Sequence, residues 1–271
     1  VGLNTLHAAS RESLAAVEQT LPLADDLSAV GNELFSVVGL LSREGSLRRA
    51  VSDASTDPAG REQLVRGLLG GKLGAATLDV LAAVVKSRWS SPRELVDGVE
   101  SLARTALLSR AEAQGRLDAV EDELFRLGRI VEGAPELEQV LTDVSGSADG
   151  KTALIRKLLG DKVEAITSTL VEQLVSQLRG RTVVGGLEEL AEVAAKRRQR
   201  SVAHVTTAVA LTEQQQNRLS ATLERIYSRP IALHIELDPE LRGGLVIKIG
   251  DEIIDGSAAG RLDALRRELA S

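Results

Sequence analysis

Apolar residues recur every three or four positions through most of the first 200 residues and then switch to alternation in twos. The first period is that of a helix with one buried face, the second that of a half-buried strand. Leu34, Val38 and Leu41 form one helical stripe, and Leu124, Leu127 and Val131 form a second. Leu170, Leu174 and Leu178 make a third, and Leu95, Val99 and Leu102 lie on a longer segment. That segment follows Ser91-Pro92, where a serine suits the N-cap and a proline the first turn. Turn signals near Gly45, Asp57-Pro58, Gly133–Pro135 and Gly146–Gly150 separate the helices.

The helical part repeats itself. "AVGNELFSVVGLL" at 29–41 matches "AVEDELFRLGRIV" at 119–131, and "LVRGLLGGKL" at 64–73 matches "LIRKLLGDKV" at 154–163, both at an offset of 90. One offset held across two separated blocks is stronger than either match alone. Beyond them the spacing is expected to grow, with "RELVDGVESL" at 93–102 a looser counterpart of the "EELA" run from 188. Two similar helical bundles, joined around 105–116, are therefore expected.

From residue 201 the reading changes. "SVAHVTTAVAL" at 201–211 is rich in β-branched residues and predicts a strand. Thr212 then caps a helix running to about Tyr227. In "PIALHIELD" the residues Ile231, Leu233, Ile235 and Leu237 share a face, and in "LVIKIG" Leu245, Ile247 and Ile249 do. Gly243 and Gly244 form the turn between these strands. Asp255-Gly256-Ser257 leads into a final helix with Leu262, Leu265 and Leu269 on one side. The predicted fold is mostly α with a small α/β C-terminal domain, ordered strand–helix–strand–strand–helix.

Composition narrows the chemistry. The chain has two Phe, one Trp and one Tyr, so its cores are packed by Leu, Val, Ile and Ala. A formal net charge of -6 lacks the basic excess a nucleic-acid partner calls for. Without cysteine there is neither thiol chemistry nor a disulfide. No apolar run approaches the ~18 residues of a membrane span, and no cleavable signal pattern opens the chain. It begins at Val1, which leaves a processed start and a piece of a longer polypeptide both open.

Candidate sites are thin. Gly146–Thr152 imitates a phosphate loop but has one residue too few between its first glycine and the Gly150-Lys151 pair, and it follows a helical pattern rather than a strand. Asp149 is instead expected near a helix start, with Leu154 and Leu158 on the buried side. His7, His204 and His234 lack metal-ligand spacing, although the last two fall in predicted strands that could meet. The basic run Lys196–Arg200 suits a solvated helix end. The paired glycines at 243–244 precede a strand, unlike a dinucleotide fingerprint. No catalytic, cofactor or metal residue is expected.

The tail, "LHIELDPELRGGLVIKIGDEIIDGSAAGRLDALRREL", resembles the C-terminal region of the delta subunit of bacterial F-type ATP synthases, the family of the mitochondrial oligomycin-sensitivity-conferring protein. Leu233, Ile235, Leu237, Leu241, Gly243, Gly244, Leu245, Ile247, Gly250, Asp255 and Gly256 carry the likeness. Residues 113–200 resemble the family's helical domain, and 1–112 are an additional copy of it, as in the actinobacterial variety. In some of those proteins a delta region follows a b-type segment in one chain; Val1 alone does not establish such a fusion. The resemblance implies a non-catalytic stator subunit at the cytoplasmic side of the bacterial plasma membrane. Residues 113–200 would hold the N-terminal helix of an alpha subunit, and 201–271 would meet the b-type stalk. No cofactor is implied. A helical scaffold unrelated to ATP synthase is the alternative reading, and the role of the first copy stays open.

Overall fold

The computed structural model of the chain describes residues 6–22, 27–143, 145–200, 202–227, 231–239, 241, 243–250 and 252–256. Its contacts divide the chain into two units, Val1–Ala191 and Glu192–Ser271. Helical segments come first: α1 (Ala8–Glu18), α2 (Leu27–Arg43), α3 (Gly45–Ser52), α4 (Pro58–Leu69), α5 (Ala75–Lys86) and α6 (Pro92–Ala113). They continue with α7 (Leu117–Glu132), α8 (Pro135–Thr142), α9 (Ala148–Leu159), α10 (Ala165–Ser176) and α11 (Val183–Arg200). The second unit holds β1 (Val202–Thr207), α12 (Glu213–Tyr227), β2 (Ala232–Leu237), β3 (Leu245–Ile249) and β4 (Glu252–Asp255).

Helix α6 is the axis of the helical unit. Ser91 Oγ accepts from the Glu94 N–H at its start, and Pro92 occupies its first turn. Leu95, Val99 and Leu102 are fully buried, as are Ala103, Ala106 and Leu108 beyond them. Small residues let the neighbours come close: at Gly31 of α2 an added Cβ would meet Leu107 of α6 at 2.7 Å. Gly98 likewise leaves room for the Trp89 ring, whose Nε1 donates to the Val84 carbonyl at 2.8 Å. The expected joint at 105–116 is shorter in the structure. Helix α6 runs unbroken to Ala113, and the chain turns at Gly115, whose φ is +67°.

The repeat extends to hydrogen bonds. Glu33 accepts from the Gly74 N–H at 2.9 Å and from Thr77 Oγ1 at 2.5 Å. Ninety residues on, Glu123 accepts from the Glu164 N–H at 3.0 Å and from Thr167 Oγ1 at 2.5 Å. In each set a carboxylate on one helix satisfies an orphan N–H at the start of another. Asp53 and Asp143 both accept from the N–H and hydroxyl of the serine two residues on, Ser55 and Ser145. The expected widening of the offset does not occur. "GVESLA" in α6 corresponds to "GLEELA" in α11 at an offset of 88, and both of its glycines, Gly98 and Gly186, lie against bulky side chains, of Trp89 and Leu174.

The second unit is a four-stranded sheet in the order β2-β1-β3-β4. β1 runs parallel to β2 and antiparallel to β3, and β3 is antiparallel to β4. One face forms the core: Ala203, Val205, Leu223, Ile231, Ile247 and Ile249 are buried, with Leu219, Tyr227, Leu233, Ile235 and Leu245 packed against them. Thr212 begins α12 with a reciprocal cap, its hydroxyl accepting from the Gln215 N–H while the Gln215 side chain accepts from the Thr212 N–H. β1 stops at Thr207, short of the expected 211: its carbonyl accepts the last ladder bond, from the Asp238 N–H, and its hydroxyl donates to the Val209 carbonyl in the bend that follows. β4 was not expected from the sequence. Gly250, with φ +58°, lets β3 double back so that Ile249 pairs with Glu252. The final helix expected after Ser257 lies outside the described residues.

Candidate functional site

The helical unit carries apolar side chains that its own core does not use. Helix α7 exposes Phe125, 62% accessible, and Ile130; α8 exposes Val140 and α9 exposes Leu158. On the first helical set Leu64 and Leu68 of α4 are exposed in the same way. Leu68 and Leu158 are repeat partners, 49% and 45% accessible. Phe35 and Phe125 are also repeat partners, yet Phe35 is only 5% accessible. The expected buried side of α9 is displaced accordingly: Lys151, Ile155 and Leu159 turn inward, while Leu158 turns out. The i,i+4 series through Lys151 faces the core because its long aliphatic stem packs as an apolar group, beneath Gly146.

That orientation also disposes of the phosphate-loop imitation. Ser147 is the N-cap, accepting from the Gly150 N–H at 2.9 Å, and Asp149 lies in the first turn, near the helix start as expected. Gly150 and Lys151 are inside the helix and do not form a loop. An apolar cleft in the first set is lined solely by Leu and Val, among them Val37, Leu41, Val65, Leu81 and Val99. It has no polar group to orient a small ligand.

The most concentrated charge is structural. Glu100 of α6 pairs with Arg104, Arg181 and Arg179, the last at 2.7 Å. Arg179 also meets Asp97 at 2.6 Å, and Glu189 of α11 meets Arg104 and Arg181, each at 3.2 Å. Three cations face three carboxylates across α6, the α10–α11 connection and α11, so the buried charges balance locally. Burial raises the Glu100 pKa, but Arg104 and Arg181 outweigh it and hold the carboxyl down to about 2. Asp97 goes the other way: burial raises it more than Arg179 lowers it. Arg179 sits at φ +52°, a left-handed conformation that places its guanidinium between Asp97 and Glu100. The sequence hinted at this only through the Arg179-Gly180-Arg181 triplet.

The tail residues named from the sequence are spread around the sheet. Ile247 is buried, and Leu233, Ile235, Leu241 and Leu245 are half-buried. Leu237 is an exception to its expected face, 56% accessible where β2 ends. Gly243 and Gly244 adopt φ of +89° and +84°, and Gly250 is also positive, so these three glycines occupy turns. Asp255 ends β4, and the Gly256 N–H donates to the Leu245 carbonyl at 2.9 Å. His204 and His234 face each other in register across β1 and β2. Among the described residues no group of three or more His, Cys, Asp or Glu could hold a metal ion, and no helix is long and apolar enough to cross a membrane.

A family model described as ATP synthase delta (OSCP) subunit matches residues 103–269. An ATP synthase subunit delta of Streptomyces griseus is 44% identical over 270 residues, covering 98% of this chain and all of that protein. One from Nocardia farcinica is 47% identical over 271 residues, with 98% of this chain and all of that protein covered. A chain of the Toxoplasma gondii mitochondrial ATP synthase hexamer is 21% identical with a TM-score of 0.32, covering 62% of this chain and 95% of that one, a likeness too slight to bear on the fold.

Proposed function

Because the chain belongs to the ATP synthase delta (OSCP) subunit family, we propose that it is the non-catalytic peripheral-stalk subunit that ties the alpha/beta head to a b-type stalk. In that position it keeps the head from turning with the central rotor during proton-driven synthesis, at the cytoplasmic side of the plasma membrane. The observation that carries this reading is the full-length similarity to delta subunits at 44–47% identity.

The physical features suit the task. A stator works by contact area and stiffness and needs no reactive group. Residues 113–200 are the docking domain for the alpha-subunit N-terminal helix, and the exposed Phe125, Ile130 and Leu158 offer apolar anchors for an amphipathic partner. Residues 201–271 meet the b-type stalk. Residues 1–112 are a duplicate of the second helical set, a reading supported by the paired Glu33–Thr77 and Glu123–Thr167 bonds. The ion cluster around Glu100 stiffens the joint between the two sets.

Deleting 201–271 tests the division of labour. Binding to the soluble part of a b-type subunit is expected to fall far more than binding to an alpha-subunit N-terminal peptide. The opposite pattern would reverse the assignment of the two regions.

A further inference from the structure

We propose that His204 and His234 form a two-histidine site for a borderline transition-metal ion of the Zn²⁺ class on the face of the sheet opposite its core. The parallel register sets the two residues directly opposite each other on adjacent strands. Both are exposed, on the face opposite Ala203, Val205, Leu233 and Ile235. Their rings meet edge-on with centroids 5.4 Å apart and an interplanar angle of 62°.

That separation suits a shared ion. With a Zn–N bond of about 2.1 Å, each ring centroid stands about 3.2 Å from the metal, and a tetrahedral angle puts the centroids about 5.2 Å apart. Rotation about the side-chain torsions then aims one nitrogen of each ring at a common point without moving the strands. Imidazole is a ligand for this class of ion, and water completes the coordination, so the site is open and exchangeable. Lys248 opposes it. It is the register neighbour of His204 on β3, exposed on the same face, and its ammonium repels a cation bound beside it. Because the site needs β1 and β2 paired, the ion binds the folded chain in preference to the unfolded one.

The test is a Zn²⁺ titration of the full, tag-free chain by calorimetry at neutral pH, with thermal unfolding followed alongside. The chain has three histidines, and His7 is engaged with Glu94 at 2.7 Å, so it provides the internal control. One saturable Zn²⁺ per chain is expected, with a raised unfolding midpoint. Both effects are lost in His204→Ala and in His234→Ala and kept in His7→Ala. Lys248→Ala, which retains both ligands, binds more tightly. No saturable binding by the unaltered chain, binding that survives either strand substitution, or loss of binding in His7→Ala would overturn the proposal. Circular dichroism of each variant separates a lost ligand from a lost fold.

Discussion

The two helical sets share their internal wiring and differ in what they leave uncovered. Glu33 and Glu123 make the same pair of hydrogen bonds, and Leu34 and Leu124 are both fully buried. The next residue separates them: Phe35 is sealed into the unit, whereas Phe125 stands 62% accessible. A repeated sequence thus fixes the contacts inside each set, while packing against the rest of the unit decides which outer residues remain for partners. The second set keeps a large aromatic free, and aromatic anchors are what protein interfaces draw on most heavily.

The largest expected effect lies at the joint. Glu100→Ala leaves Arg104, Arg179 and Arg181 facing one another with a carboxylate missing, and should cost about 3–5 kcal/mol in urea unfolding. Its repeat counterpart Glu188 is exposed, so Glu188→Ala should stay within about 0.5 kcal/mol. Equal costs would mean that the charged joint is no different from the surface.

Phe35→Ala and Phe125→Ala form the matched pair. The first should lose about 3–5 kcal/mol of stability. The second should change stability by no more than about 0.5 kcal/mol yet weaken binding of an alpha-subunit N-terminal peptide by about tenfold or more. A Phe125 variant that binds normally would remove that residue from the interface.

Acid provides a third test. Glu100 ionises near 2 in the fold against 4.5 for the ordinary group. Its contribution is therefore complete above pH 4.5 and disappears as pH falls from there through 2, for about 3 kcal/mol in all. Comparing the unaltered chain with Glu100→Gln from pH 6 to pH 2 should show the stability difference shrinking in that window. A smaller loss than at Glu100 or Phe35 is expected at the paired carboxylates: Glu33→Ala and Glu123→Ala should each cost about 1–2 kcal/mol and agree with one another. A marked inequality would break the equivalence of the two sets.

Much of the fold was legible because it rests on local signals. The stripe Leu95–Val99–Leu102, the Ser91-Pro92 start and the Thr212–Gln215 cap all act within a few residues. β4 escaped because it is four residues long and not alternating, although Ile249-Gly250-Asp251-Glu252 does carry a hairpin signal. The spacing puts Leu154 and Leu158 on the buried side of α9, but the helix is turned by about one position: Lys151, Ile155 and Leu159 are buried, Leu154 is half-buried and Leu158 is exposed. Candidate contact residues were harder still. Phe35 and Phe125 occupy equivalent places in nearly equivalent sequences, and only tertiary packing distinguishes them. The Glu100 cluster draws on residues about 80 positions apart, which no local pattern reveals.

The most direct measurement is assembly itself. Purified alpha/beta heads, the soluble part of a b-type subunit and this chain would be mixed and separated by size, with each component omitted in turn. Head and stalk are expected to co-migrate only when the chain is present. Co-migration without it, or failure of the chain to join either one, would contradict the proposed role as the link between them.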